Sequence, residues 1–500
     1  MAKSMLFVGL AVMAVTAAAM ADSTFPRAKD RDWKVVYASA EAPDGRALES
    51  LTAEMGALML RDNDYHTFRV LPLEKEGSDP QPFRHRFVLG TWRGSALVRS
   101  LLAEGDVPAG GYCVRAFAAN GTNTVVIAGE RPVDVLYGTF DFIEDGVNAL
   151  RREIGNGLKY RSQVFDGEPF VREYRSRRAP KVAVRSLFTW GHVIDDYRGF
   201  FREMARLKLN RAILWNDFPP VNAAEVVSAA HSWGVEVFWG FAWGWVQDCR
   251  ILKGSDFDRT TADVVVDSWR RNWRDLPGDG IYFQTFTERA PGVFGGESVA
   301  SRAVGLVNAI AGRIHAERPS LEIVFGLHAT SVRDEMDVIA RTDPSLEILW
   351  EDCGGFPYST NIPDDPEKDR AFTFEIAGQG RKYGLAIKCQ LLQDWTHWIH
   401  QAGPFVLGCA GTSVLTRDRL VAAPLLEDYR VRWISKGDFA YGLFRALQAS
   451  GNPPHELNTV VEYNPPFDFT TALVAELIWS CDEPYETIRD RVLARTRFKN

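Results

Sequence analysis

The chain has little of what would announce a metal, nucleotide or nucleic-acid protein. Its six cysteines (Cys113, Cys249, Cys353, Cys389, Cys409 and Cys481) are scattered and never in CxxC spacing, which argues against a structural zinc site. No polybasic tract interrupts a formal net charge of −7, so nucleic acid is not an expected partner. Beyond the first residues, no stretch reaches the ~18 uncharged apolar positions needed to cross a bilayer. Gly295-Gly296 and Gly354-Gly355 lack the pattern of a phosphate loop, and there is no GxSxG elbow. There is no internal repeat. No cofactor is expected.

Aromatic residues, by contrast, are abundant: 15 Trp and 30 Phe, and rings placed at strand ends form flat platforms for sugar faces. The N-terminus reads as an export leader over residues 1–21. Lys3 gives the positive start, Met5 to Ala19 is small and apolar, and Ala19-Met20-Ala21 fits a small-x-small cleavage site. The expected product is exported, periplasmic or secreted, with no stable membrane insertion. Export permits disulfides, and Cys353, Cys389 and Cys409 are candidates to meet; free buried thiols are the alternative.

Residues 30–161 read as a small α+β domain. Lys34–Tyr37 and Arg86–Gly90 are apolar strands around an amphipathic helix over Gly45–Arg61. Gly110–Arg115 and Thr124–Gly129 flank the turn sequence Ala119-Asn-Gly-Thr122, the pattern of a hairpin. Pro132 opens a helix expected to run to Leu150, Pro being suited to a first helical turn. The polar, Arg-rich residues 162–180 read as a linker.

From Lys181 the pattern becomes strand, helix, strand, helix. The expected strands are Val182–Trp190, Arg211–Asn216, Glu236–Trp243, Gly280–Thr287, Glu322–His328, Leu346–Glu351, Leu385–Leu392 and Asn458–Tyr463. Eight such units imply a parallel sheet closed into a (β/α)8 TIM-like barrel over 181–480. Residues 481–500 read as the start of a helical segment. Thr396 to Asp428 is mixed in character and assigns to no element.

Chemistry in such a barrel sits at the C-terminal strand ends. Strand four ends in Gln284-Thr-Phe-Thr-Glu288, strand six in Glu351-Asp352, strand seven in Asp394, and strand eight near Glu462. Glycosidic cleavage commonly uses a protonated acid on the leaving oxygen and a second carboxylate across the sugar. Glu288, Asp352 and Asp394 are the catalytic candidates, whereas Glu351 reads as structural. Gln284, Trp190, Trp215, Trp243, Trp245, Trp350 and Trp395 are the substrate-binding candidates. Asp394, His397 and His400 share a possible helical face, but HxxH without a clear third ligand is common, and no metal is expected.

Gly111–Ala116, Val125–Gly129 and Val135–Glu144 resemble the domain that precedes the barrel in microbial α-glucuronidases and β-N-acetylhexosaminidases. Gly280-Ile-Tyr-Phe-Gln-Thr-Phe-Thr-Glu288 is most similar to the α-glucuronidase type. That resemblance implies a glycoside hydrolase acting on a polysaccharide-derived, uronic-acid-bearing oligosaccharide. It places the general acid on Glu288 and the base side on Asp352 and Asp394, where Asp394 stands in place of the family's glutamate. Hexosaminidases carry an Asp-Glu pair after strand four; Thr287-Glu288 lacks it. The alternatives are a barrel that binds carbohydrate without cleaving it and a β-N-acetylhexosaminidase-like enzyme.

Overall fold

In the computed structural model the described residues are 33–60, 68–78, 85–119, 122–147, 174–191, 194–216, 218–243, 260–288, 292–327, 332, 334–351, 366–389, 405–408, 412–461 and 465–495. The chain divides into two compact units, Met1–Arg178 and Ala179–Asn500. The proposed leader lies outside the described residues.

The first unit is built on a six-stranded mixed sheet of order β2-β1-β3-β5-β4-β6. Its strands are β1 Trp33–Tyr37, β2 Phe68–Pro72, β3 His85–Thr91, β4 Tyr112–Ala119, β5 Thr122–Gly129 and β6 Arg175–Arg178. The expected hairpin forms: β4 and β5 pair antiparallel, Tyr112 opposite Gly129 and Ala119 opposite Thr122. Sequence reasoning missed two strands. β2 extends the sheet parallel to β1, and β6, inside the expected linker, pairs antiparallel with β4. A four-residue Arg/Ser strand has no apolar alternation to reveal it, because an edge strand buries little. The helix opened by Pro132 is α-helical only to Asp141 and continues as a π turn over Phe142–Val147. Arg131 and Asp134 fix its start, the Arg131 backbone N–H donating to Asp134 Oδ2 at 2.9 Å.

The second unit is a closed parallel barrel. Its strands are β7 Val184–Trp190, β8 Arg211–Trp215, β9 Glu236–Ala242, β10 Gly280–Gln284, β13 Glu322–Leu327, β14 Glu347–Trp350, β15 Tyr383–Ile387 and β16 Glu456–Val460. All eight coincide with the expected strands to within a few residues. A two-stranded ribbon, β11 Val293–Phe294 with β12 Glu297–Ser298, sits in the connection after β10. The stretch that assigned to no element yields a long helix, Thr412–Gln448, with Pro424 inside it. Phe469–Trp479 and Tyr485–Ala494 are helices, the second within the segment expected to be helical.

Period-two alternation decides what fills the barrel. Phe188, Trp190, Ile213, Trp215, Phe238, Tyr282, Val324, Leu349, Ala386 and Val460 form one buried cluster. Branched aliphatics usually dominate such layers; here five of the ten members are rings, and glycines make the room. A Cβ on Gly240 would press on Trp215 and Tyr282, and one on Gly326 would overlap the Tyr282 phenol.

The N-terminal end of the barrel is closed by charge. Arg211 is buried and reaches Glu456 and Glu236 at 2.9 Å and Glu322 at 3.1 Å. Glu347, also buried, meets His455 at 3.1 Å and Lys382 at 3.2 Å. Burial pushes the Glu456 carboxyl up to about 7, with Arg211 pulling it down and Glu347 pushing it up. For Glu347, burial acts upward, but the His455 hydrogen bond and the nearby His455, Lys382 and Arg211 charges together hold it below the ordinary value.

Candidate active site at the barrel mouth

The last inward-facing positions of five strands meet at the C-terminal end: Trp190 (β7), Trp215 (β8), Gln284 (β10), Glu351 just past β14 and Lys388 just past β15. Each lies two residues beyond an inward member of the core cluster, namely Phe188, Ile213, Tyr282, Leu349 and Ala386, so the alternation itself aims them. Trp190 and Trp215 meet edge to face, centroids 5.9 Å apart at 84°. Tyr282 lies 6.0 Å from Trp215 and 5.4 Å from Phe188.

Above these rings several polar side chains are linked to one another. Glu351 Oε1 accepts from both the Tyr282 hydroxyl and the Gln284 amide. Gln284 Nε2 also donates to the Tyr282 hydroxyl at 2.9 Å. Lys388 Nζ stands 3.9 Å from Glu351 Oε2. Gln284 is oriented by the bonds its nitrogen makes to Glu351 and Tyr282. Glu351, read as structural, stands at the mouth and binds Tyr282 and Gln284 there. Sequence reasoning missed Lys388 and Tyr282 altogether. Their signal was available, because Ala386 and Lys388 stand on the inward register of one strand, as do Tyr282 and Gln284 on another.

The catalytic candidates divide. Glu288 closes a short 3-10 turn, Phe286–Glu288, that follows β10, so its backbone stands at the C-terminal end of the strand that carries Gln284. Its side chain, together with Asp352, Asp394, Trp245, Trp395, Glu462, His397 and His400, lies outside the described residues. Among the described residues no group of three His, Cys, Asp or Glu could hold a metal ion, and no helix is long and apolar enough to cross a membrane. Cys249, Cys353 and Cys409 also lie outside the described residues; Cys113, Cys389 and Cys481 are buried free thiols.

Two substrate-binding candidates are corrected. Trp243 is fully buried and stacked on Phe283, centroids 3.5 Å apart and nearly coplanar. Trp350 is fully buried, its Nε1 donating to Thr373 Oγ1 at 3.0 Å and its ring against Phe372 at 4.8 Å. The reason is again the alternation. Trp350 lies between inward Leu349 and Glu351 and so faces the helix Pro366–Gly378. Trp243 packs on Phe283, which lies between inward Tyr282 and Gln284. On strand one's side, Asp196 caps the helix Tyr197–Arg206, its side chain accepting from the Arg198 N–H at 3.0 Å.

Comparison with known proteins places one likeness within the first unit: residues 69–142 match the family model described as the N-terminus of glycosyl hydrolase family 67. The match covers less than half of the chain. No curated protein matches. Among solved structures, one titled "Structure of CpGH84D" aligns over 92% of this chain and 67% of its own, at 10% identity and TM-score 0.47. The GH20 β-N-acetylhexosaminidase of Streptomyces coelicolor A3(2) aligns over 92% and 90%, at 13% identity and TM-score 0.48. A GH138 enzyme targeting pectin rhamnogalacturonan II aligns over 71% of this chain and 53% of its own, at 11% identity and TM-score 0.43.

Proposed function

We propose that the chain is an exported glycoside hydrolase that cleaves a polysaccharide-derived oligosaccharide of the uronic-acid-bearing class. The observation that carries the reading is the position of Glu288, in the turn that ends β10, on the strand whose Gln284 is tied into the rim cluster with Glu351. The match of residues 69–142 to the family 67 N-terminus supports it.

Glu288 protonates the leaving oxygen. Asp352 or Asp394 acts on the opposite face, activating water if the carboxyls stand about 6.5–9.5 Å apart and attacking directly if nearer 5 Å. Glu351 does neither, because hydrogen bonds saturate one of its oxygens and Lys388 stands against the other. Trp190 and Trp215 form the ring floor of the mouth.

A panel of glucuronides, N-acetylglucosaminides and neutral glycosides, offered to the mature protein, tests the reading. Hydrolysis of a glucuronide supports it. Cleavage of an N-acetylglucosaminide alone moves the assignment to hexosaminidase chemistry, and binding without any cleavage leaves a carbohydrate-binding barrel. Amino-terminal sequencing of the exported protein tests the leader; a chain still beginning at Met1 removes it.

A further inference from the structure

The β4–β6 edge of the first unit gathers more positive charge than it balances. Arg115 on β4 stands directly opposite Arg175 on β6, and Cys113 opposite Arg177. Alternation therefore puts all three guanidinium groups on one face of the sheet. Like charges paired across strands destabilise a sheet. Among the described residues a single carboxylate, Asp106, stands with them: Oδ2 lies 3.8 Å from Arg115 Nη1, and Oδ1 3.8 Å from Arg175 Nη2. Both distances exceed a hydrogen bond, and Oδ2 already accepts from the Ala103 N–H at 2.8 Å. Arg177 donates from Nε and Nη2 to the carbonyls of Asp106 and Gly105, each at 3.1 Å, which fixes the loop but leaves its charge unbalanced. Among the described residues, neither Arg115 nor Arg175 donates a side-chain hydrogen bond. Their side chains are 44% and 64% exposed, against 18% for Asp106. Arg115 also lies over the half-buried Phe117 ring, 5.6 Å from its centroid. A planar guanidinium fork with unused donors matches a carboxylate at two points, and a ring beside it suits the apolar face of a sugar.

We propose that this face binds the carboxylates of a uronic-acid-bearing polysaccharide, with Arg115 and Arg175 as paired donors and Phe117 as the apolar contact beside them. All these residues belong to the first unit, so the surface is a second saccharide site in addition to the barrel mouth. Only the class of polymer rests on the proposed function. Asp106 keeps the two guanidinium groups within reach of one ligand without neutralising three positive charges. A bound carboxylate supplies the missing negative charge and relieves the repulsion between the opposed arginines. On a chain whose net charge is −7, such a patch gives an anionic polymer a defined place to dock. The site offers two hydrogen-bonding forks rather than the extended basic stripe that a phosphate backbone needs, which favours a saccharide over a nucleic acid.

The test uses the whole chain and affinity electrophoresis, with polygalacturonate, its methyl-esterified form and a single-stranded DNA oligonucleotide as probes. Wild type is expected to bind polygalacturonate, more weakly as salt rises from about 20 to about 200 mM, because exposed charges are screened. Binding should be lost on the ester, whose backbone is the same but uncharged. The double variant Arg115→Gln/Arg175→Gln is expected to bind polygalacturonate about tenfold more weakly, two exposed charge pairs being worth severalfold each. Its kcat/KM on 4-nitrophenyl glucuronide should match wild type. Equal binding of polygalacturonate by the double variant and wild type overturns the inference and leaves the proposed function standing. Wild type that holds the ester as well as the acid overturns it too, without any variant. Tighter binding of the oligonucleotide than of polygalacturonate overturns the assignment to a saccharide. Arginine-dependent binding of polygalacturonate without hydrolysis of any glucuronide supports the surface and rejects the proposed function, so the two fail separately.

Discussion

The hydroxyl of Tyr282 fills the space that a Cβ on Gly326 would take. From there it donates to Glu351, so a missing methyl on β13 lets β10 and β14 share a proton donor across the barrel mouth. Gly326→Ala is expected to destabilise the protein by about 1–3 kcal/mol, the range for overpacking a filled core. Tyr282→Leu withdraws the ring tip and relieves that clash. In a urea-denaturation double-mutant cycle, the two substitutions should therefore be clearly non-additive, the alanine costing less beside leucine than beside tyrosine. Additive losses would show that the ring does not depend on the glycine.

The four tryptophans described among the binding candidates separate into two pairs with opposite behaviour. Trp350→Phe gives up the Thr373 hydrogen bond and part of a fully buried ring, and should cost about 1–3 kcal/mol of stability. Its saccharide affinity should stay at the wild-type value, and Trp243→Phe should follow the same pattern. Trp190→Ala and Trp215→Ala remove the floor of the mouth and should weaken saccharide binding. Binding isotherms beside chemical melts check both halves. Loss of affinity in the folded Trp350 variant would contradict the outward placement of that ring.

Glu456 makes the stability of the barrel depend on pH. Unfolded, its carboxyl ionises in the ordinary range near 4.5; folded, burial holds the proton up to about 7. Between those limits the folded state binds more protons, so this group's contribution falls as pH rises and is level above about 7. Glu456→Gln removes the titration. Relative to wild type, that variant should gain thermal stability as pH rises from about 5 to about 8, the window on either side of the two ionisation ranges. A stability gap constant with pH, or one moving the other way, would contradict the account of the N-terminal charge layer.

What the sequence disclosed follows from how strongly burial patterns a segment. Most barrel strands were legible because each carries a short apolar run bounded by polar turns, whereas Glu456–Val460, with only Leu457 and Val460 apolar, was expected later, at Asn458–Tyr463. Strand β6 was not legible, since the edge strand Arg175–Arg178 is wholly polar, and β2 was missed although Phe68, Val70 and Leu71 are apolar. At the mouth, proximity to a strand end was a weaker guide than the register of the strand. Trp350 and Glu351 are adjacent and equally near the rim, yet one faces a helix and the other the barrel interior. Counting in twos from Leu349 separates them. Lys388 would have emerged from the same count, but an isolated lysine after an apolar strand resembles any solvent-facing end until Glu351 is placed beside it.

The central claim is that Glu288 delivers a proton to a glycosidic oxygen. Acid assistance matters most when the leaving group is poor, so the most direct measurement compares wild type and Glu288→Gln on two glycosides with the same sugar, one alkyl and one 4-nitrophenyl. The account predicts a loss of about 10²–10⁴-fold in kcat on the alkyl glycoside, the usual worth of general acid catalysis, and a far smaller loss on the nitrophenyl one. Equal rates for the two proteins on the alkyl glycoside would contradict it.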